Sequence, residues 1–204
     1  MPSKNVQKPN VGESYYHVYA RGASKQPIFL EPADYNHFIS LFSRYLSLTP
    51  KQDRLGINYP HLQGRIELLA YCLMGNHFHL LLYQIEQGAM SQLMKSIMTS
   101  YGRYFNFKYK RSGSMYESTY KASLINSDAY LTHISRYIHL NPRYWQRYKY
   151  SSIANYLYEA QNEWLQNSRV MEQFSSSDEY RIFLEDYEGE KVVLDELKYE
   201  LANL

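Results

Sequence analysis

Cysteine is nearly absent from the chain: Cys72 is the one copy in 204 residues. A disulfide framework is therefore excluded, and a reducing compartment fits. Long apolar runs are missing as well. None reaches the roughly 18 residues that a membrane span needs, and the opening MPSKNVQKPNVGES lacks the apolar stretch of a signal peptide. These absences read as a soluble, cytoplasmic chain with no membrane partner. Acidic residues are scarce over most of the length. Residues 1–158 carry 18 basic and 8 acidic side chains, a net of +10, whereas 159–204 carry 4 and 12, a net of −8. The overall charge of +2 hides this split. A basic body suggests a polyanionic partner, although an acidic tail folded back on the body would account for the same numbers.

What is present is globular. Apolar residues make up 45% and charged residues 21%, enough for one domain, or one domain with an appendage, to bury a core without cross-links. Tyrosine is abundant, with 23 copies, and offers rings for stacking bases and hydroxyls for phosphate contacts. No internal repeat or low-complexity segment interrupts the chain.

Alternation marks Tyr15–Arg21 as a strand ended by Gly22. Pro32 opens a helix that carries Phe38, Leu41, Phe42, Tyr45 and Leu46 on one face. A loop over Thr49–Gly64 follows. Arg65–Met74 and His77–Gln84 read as strands joined by the turn Gly75-Asn76. Ser91 can cap a second helix with Leu93, Met94, Ile97, Tyr101 and Tyr104 inward. Ser114–Ile125 reads as extended. Ser127 caps a third helix that stops before Asn141-Pro142, and short helices follow. The order β-α-β-β-α-β-α predicts an α+β sandwich: an antiparallel sheet with helices on one face.

Three features could carry chemistry. The first is His77-Phe78-His79 on a strand. Alternation turns both imidazoles to one side, about 6–7 Å apart, where they can share a metal ion. Taken alone, such a pair is as readily a solvated strand face. The second is the third helix, where His133, Tyr137 and Asn141 recur at four-residue spacing and so share a stripe. Taken alone, that stripe is as readily a polar surface. The third is a basic, aromatic-rich stretch. Lys95, Arg103, Lys108, Lys110, Arg111 and Lys121 face a single acid, Glu117, between residues 87 and 125, and Arg136 and Arg143 follow in an acid-free stretch. Cations for phosphates, interleaved with rings for bases, form the pattern of single-strand or hairpin binding.

Together these residues resemble a known family. Tyr71-Cys72-Leu73-Met74-Gly75-Asn76-His77-Phe78-His79-Leu80-Leu81-Leu82 is similar to the HUH motif strand of the single-tyrosine transposases. Arg136-Tyr137-Ile138-His139-Leu140-Asn141-Pro142-Arg143 resembles their tyrosine helix, in the form seen in the REP-associated tyrosine transposases. Tyr16-His17-Val18-Tyr19-Ala20-Arg21-Gly22 is similar to their first strand. The resemblance covers roughly residues 14–156.

The resemblance implies a ferredoxin-like catalytic domain over 14–144, after a tail at 1–13 and before a mostly helical extension at 145–204 with an acidic end. It implies His77 and His79 as catalytic metal ligands, Asn141 as the third ligand, and Tyr137 as the nucleophile. The cofactor would be Mg²⁺ or Mn²⁺. The reaction would be cleavage and rejoining of single-stranded DNA at hairpins or palindromic repeats through a 5′-phosphotyrosine, in a bacterial, nucleoid-associated setting. Arg21, Lys95, Arg103, Lys108, Lys110, Arg111, Lys121, Arg136 and Arg143 become candidate DNA contacts. A monomer is favoured by the extra C-terminal segment, although insertion-sequence relatives act as dimers. Two departures stand out. Gly75 replaces the Pro or Ser of many relatives, which would loosen the turn, and the third-strand segment lacks the Trp and Arg often found there.

Other functions compete. A replication or mobilisation nuclease of the same superfamily tends to use other motif arrangements and larger chains. A metallohydrolase built on the HxH alone would need further ligands, and none lies close in sequence. A non-enzymatic regulator that binds DNA hairpins on a transposase fold is the main alternative.

Overall fold

The computed structural model describes residues 10–186 except 159 and 161, so most of the N-terminal tail and the acidic end at 187–204 lie outside the described residues. Four strands form one antiparallel sheet: β1 (Ser14–Arg21), β2 (Ile66–Met74), β3 (His77–Gln84) and β4 (Lys121–Ile125), in the order β2-β3-β1-β4. The helices α1 (Pro32–Leu46) and α2 (Ala89–Lys108) make the crossovers β1→β2 and β3→β4. This is the expected α+β fold with a central antiparallel sheet.

The helices do not stay on one face. The α1–α2 pair covers the side built from Tyr16, Val18, Phe78, Leu80, Leu82 and Leu73. The opposite side carries Leu69, Ala70, Cys72, Leu81 and Ile125, and is covered by α3 (Asp128–His139), α4 (Ile153–Leu157) and α6 (Ser177–Glu185), with the short α5 (Ser168–Met171) beside them. The reason is legible in β2: its run IELLAYCLM is apolar at nearly every position, so both of its faces need cover. A bulge at Leu69 turns Leu69 and Ala70 together to the α3 side, and beyond it Cys72 sits opposite His79.

Local chemistry sets the helix ends. Pro32 occupies the first turn of α1, and the Asp34 carboxylate accepts the Glu31 backbone N–H at 3.2 Å. Ser127 caps α3 by accepting the Tyr130 N–H. The expected cap of α2 at Ser91 is corrected. The helix starts at Ala89 after Gly88, whose φ of 89° is the left-handed conformation glycine tolerates, and Gln84 Oε1 takes the Met90 N–H. Ser91 Oγ instead meets Tyr120 Oη at 3.0 Å. The extended stretch at 114–125 is a strand only over 121–125, because 114–120 crosses the end of β1 and buries Met115, Tyr116 and Tyr120.

The C-terminal segment is stitched to the outer edge of β2. Tyr148 and Tyr156 donate their hydroxyls to the Leu73 and Leu69 carbonyls, and the Leu73 and Ser152 N–H groups bond to the Tyr150 and Tyr71 carbonyls. Unpaired edge groups invite pairing with other chains, and here the chain closes its own edge.

On the other face, Asp34 is a fully buried ionic hub. Its oxygens accept from Leu30 N, Glu31 N, Tyr104 Oη, Tyr109 Oη and Lys108 Nζ. Burial pushes its pKa up, but the bonds from Lys108, Leu30, Tyr109 and Glu31 outweigh that and hold it below the usual carboxylate value. A depressed folded pKa means the stabilisation is present above the unfolded value of ~3.9 and fades as pH falls through the folded one. Asp34→Asn should lower stability by about 2–3 kcal/mol at pH 7, with the gap from wild type narrowing at pH 3. Denaturant titrations at the two pH values measure it, and an equal gap at both would refute the charge-based account.

Candidate active site

Alternation puts His77 and His79 on the α3 side of β3, with Phe78 (0% exposed) on the other side. The turn before them is clamped. The Gly75 carbonyl accepts from Ile28 N and Phe29 N, at 2.9 and 3.1 Å, and the Asn76 carbonyl accepts from Gly22 N at 2.8 Å. Gly75 therefore does not loosen the turn. Gly22 is required at this contact, since a Cβ there would lie 2.1 Å from the Gln26 carbonyl oxygen.

Each imidazole is held through its Nδ1. Asn76 Nδ2 donates to Lys25 O, which turns Asn76 Oδ1 toward His77 Nδ1 at 2.7 Å. His79 Nδ1 lies 3.0 Å from His17 Nε2 across the sheet. From α3, the Tyr137 ring meets His79 edge-on, centroids 5.3 Å apart, and His17 at 5.8 Å. Asn141, just past the end of α3, lies close enough to both His77 and Tyr137 to influence their titration. The structure thus brings together all four residues expected at the centre, within one chain.

The centre is substantially buried, His17 and His79 fully and His77, Tyr137 and Asn141 in part. Burial lowers the pKa of His77 and drives that of His79 well down, in the latter case with help from His17 and His77. Burial also pushes Tyr137 up to about 12, against the opposing pull of Asn141. At neutral pH the site holds neutral imidazoles, which are the ligand form, and a protonated phenol. Among the described residues no group of three His, Cys, Asp or Glu is arranged to hold a metal. The candidate set is two imidazoles and one amide, with both Nδ1 atoms engaged elsewhere, and that chemistry fits a divalent ion with positions left for phosphate oxygens and water.

The other expected residues sort by position. Arg21 and Lys121 pair in register with His77 and Tyr19, so they lie on the site's side of the sheet, and Arg21 is bonded to Glu117 at 2.9 Å. Arg143 is exposed just beyond Asn141. Lys95 and Arg103 are exposed on α2, with Lys110 and Arg111 exposed just after it, and α2 covers the opposite face of the sheet. Lys108 is tied to Asp34 and Glu31. Arg136 is corrected: it is 1% exposed, donates to Phe183 O at 2.9 Å and lies 4.0 Å over the Phe183 ring, so it is not available to DNA. His133 turns to Arg136 at 2.8 Å rather than toward Tyr137's partners. Sequence reasoning missed His17 and Asn76. His17 shares its strand face with Tyr19 and Arg21, but only the β1–β3 register brings it to His79.

Residues 58–141 match the family described as Transposase IS200 like, a segment that includes His77, His79, Tyr137 and Asn141. A solved structure described as a REP-associated tyrosine transposase bound to a REP hairpin is similar at 12% identity and a TM-score of 0.46, covering 72% of this chain and 80% of that one. No curated protein matches the chain. No described helix is long and apolar enough to cross a membrane.

Proposed function

We propose that the chain cleaves and rejoins single-stranded DNA at hairpin or palindromic repeats, with Tyr137 as nucleophile. The observation that carries this reading is the meeting of Tyr137 with the histidine pair: its ring packs edge-on against His79 at 5.3 Å, His77 lies 5.0 Å from His79, and Asn141 sits beside the phenol and His77. Tyr137 Oη attacks the scissile phosphorus and loses its proton as the O–P bond forms. The P–O3′ bond breaks, and the departing oxygen takes up a proton to become a 3′-hydroxyl. The DNA 5′ end stays on Tyr137 as a phosphotyrosine, so the bond energy is kept for rejoining. His77, His79 and Asn141 would hold a divalent ion, Mg²⁺ or Mn²⁺, which supplies charge neutralisation at the phosphate. Arg21 and Lys121, on the site's side of the sheet, and Arg143, just beyond Asn141 in the chain, would take the backbone, with Lys95, Arg103, Lys110 and Arg111 as outlying contacts. A site complete within one chain supports a monomer.

The test mixes the protein with labelled single-stranded hairpins taken from beside its own gene, with Mg²⁺ or Mn²⁺, on a denaturing gel. A shifted covalent band is expected with metal and none with EDTA. His77→Ala and His79→Ala should each cut adduct yield at least about a hundredfold. Binding to several hairpins with no adduct in either metal would favour the non-enzymatic regulator instead.

A further inference from the structure

None of the reaction steps above uses His17. It is fully buried on a strand, its Nδ1 has no partner, and burial drives its pKa down to about 3. Its single polar contact is the 3.0 Å approach of Nε2 to His79 Nδ1, with the two ring planes 13° apart. Two neutral imidazoles share one proton in such a bond. If His79 donates from Nδ1, its Nε2 carries a lone pair and can bind a metal ion. If His17 donates, His79 holds its proton on Nε2 and cannot. The tautomer of an imidazole is set by what the other nitrogen meets.

Resting on the transposase reading, we propose that His17 is a positioning residue: it accepts the Nδ1–H of His79 and so presents the His79 Nε2 lone pair to the metal. The neighbouring ring supports this. Asn76 Oδ1, oriented by its own amide bond to Lys25, fixes His77 with the proton on Nδ1. The two candidate ligands are then held alike, each by an acceptor at Nδ1. The residue type at position 17 also follows. A carboxylate would be an uncompensated charge in this buried strand face, a hydroxyl would be too short, and an apolar side chain would leave His79 to the Nε2–H form that free neutral histidine prefers.

The test uses the full chain. Long-range ¹H–¹⁵N spectra of the histidine rings read the tautomers directly, without DNA, in the protein alone and with Mg²⁺. Wild type should show His79 protonated on Nδ1. His17→Leu should move His79 toward the Nε2–H form and raise the Mg²⁺ concentration for half-maximal response by about 10–100-fold. The variant also takes the partner from His79 Nδ1, so its melting temperature is measured alongside to establish that it is folded. If His17→Leu unfolds, the wild-type spectrum still decides. A His79 protonated on Nε2 both with and without Mg²⁺ overturns the proposal. So does an unchanged metal response in folded His17→Leu, even where adduct still forms and the transposase reading stands. The expected tautomer and metal response with no adduct on any hairpin would overturn the transposase reading and leave the role of His17 intact.

Discussion

Replacing Tyr137 by phenylalanine should abolish the covalent DNA adduct while leaving hairpin affinity within about threefold of wild type. The substitution removes one oxygen, the atom that would bond to phosphorus. The ring that packs edge-on against His79 and His17 stays in place. The loss is one of chemistry rather than fold, since only the polar interaction with the neighbouring Asn141 goes with the hydroxyl. Adduct yield should drop below detection, about a thousandfold or more for a lost nucleophile. Other tyrosines offer a control. Tyr19 touches the same histidine, with centroids 6.1 Å apart, but sits on β1 at 4% exposure. Tyr130 and Tyr144 are on or near the same helix, and Tyr120 lies with the other core. An adduct that persists in Tyr137→Phe, mapped by peptide mass to any of these, would move the nucleophile.

Tyr180→Ala should be the most destabilising single change in the C-terminal segment, costing about 3–5 kcal/mol. The ring is fully buried against Tyr156 and Phe174. Its hydroxyl bonds to His139 Nδ1 at 2.7 Å and to Ser135 Oγ at 3.1 Å, and His139 continues to Ser152 at 2.8 Å. Removing it opens a cavity and takes one hydrogen-bond partner from each of two buried polar side chains of α3, His139 and Ser135. A denaturant midpoint reads the loss. A cost under about 1 kcal/mol would mean that α6 is a peripheral attachment to the tyrosine helix rather than part of its support.

The main elements were legible because their signals are local. Period-two alternation marked β1 and β3, and the Phe38–Leu46 face marked α1. Local signals also misplaced the start of α2: Ser91 looks like a cap, but Gln84, across a turn, supplies the side chain that counts. At the site, the strand and helix motifs gave Tyr137, His77, His79 and Asn141, whereas His17 depends on a register spanning 62 positions. Arg136 sits in a basic stretch and reads as surface. What buries it is the Phe183 region of α6, and no periodicity within α3 announces that partner. Tyr148 and Tyr156 read only as rings able to pack on the body, and it is the β2 edge that shows where their hydroxyls go.

The clamped turn ahead of His77 limits how such a site can diversify. Both of its carbonyls are engaged by backbone donors from residues 22–29, and that segment is itself tightly folded, with no room at Gly22 for a methyl group against the Gln26 carbonyl. Lengthening the hairpin would pull the histidine strand out of step with β1. New specificity is therefore more accessible through exchanges of side chains along the rim, at Arg21, Lys121 and Arg143, than through insertions at the tip, so this corner of the chain should keep its length while its perimeter drifts.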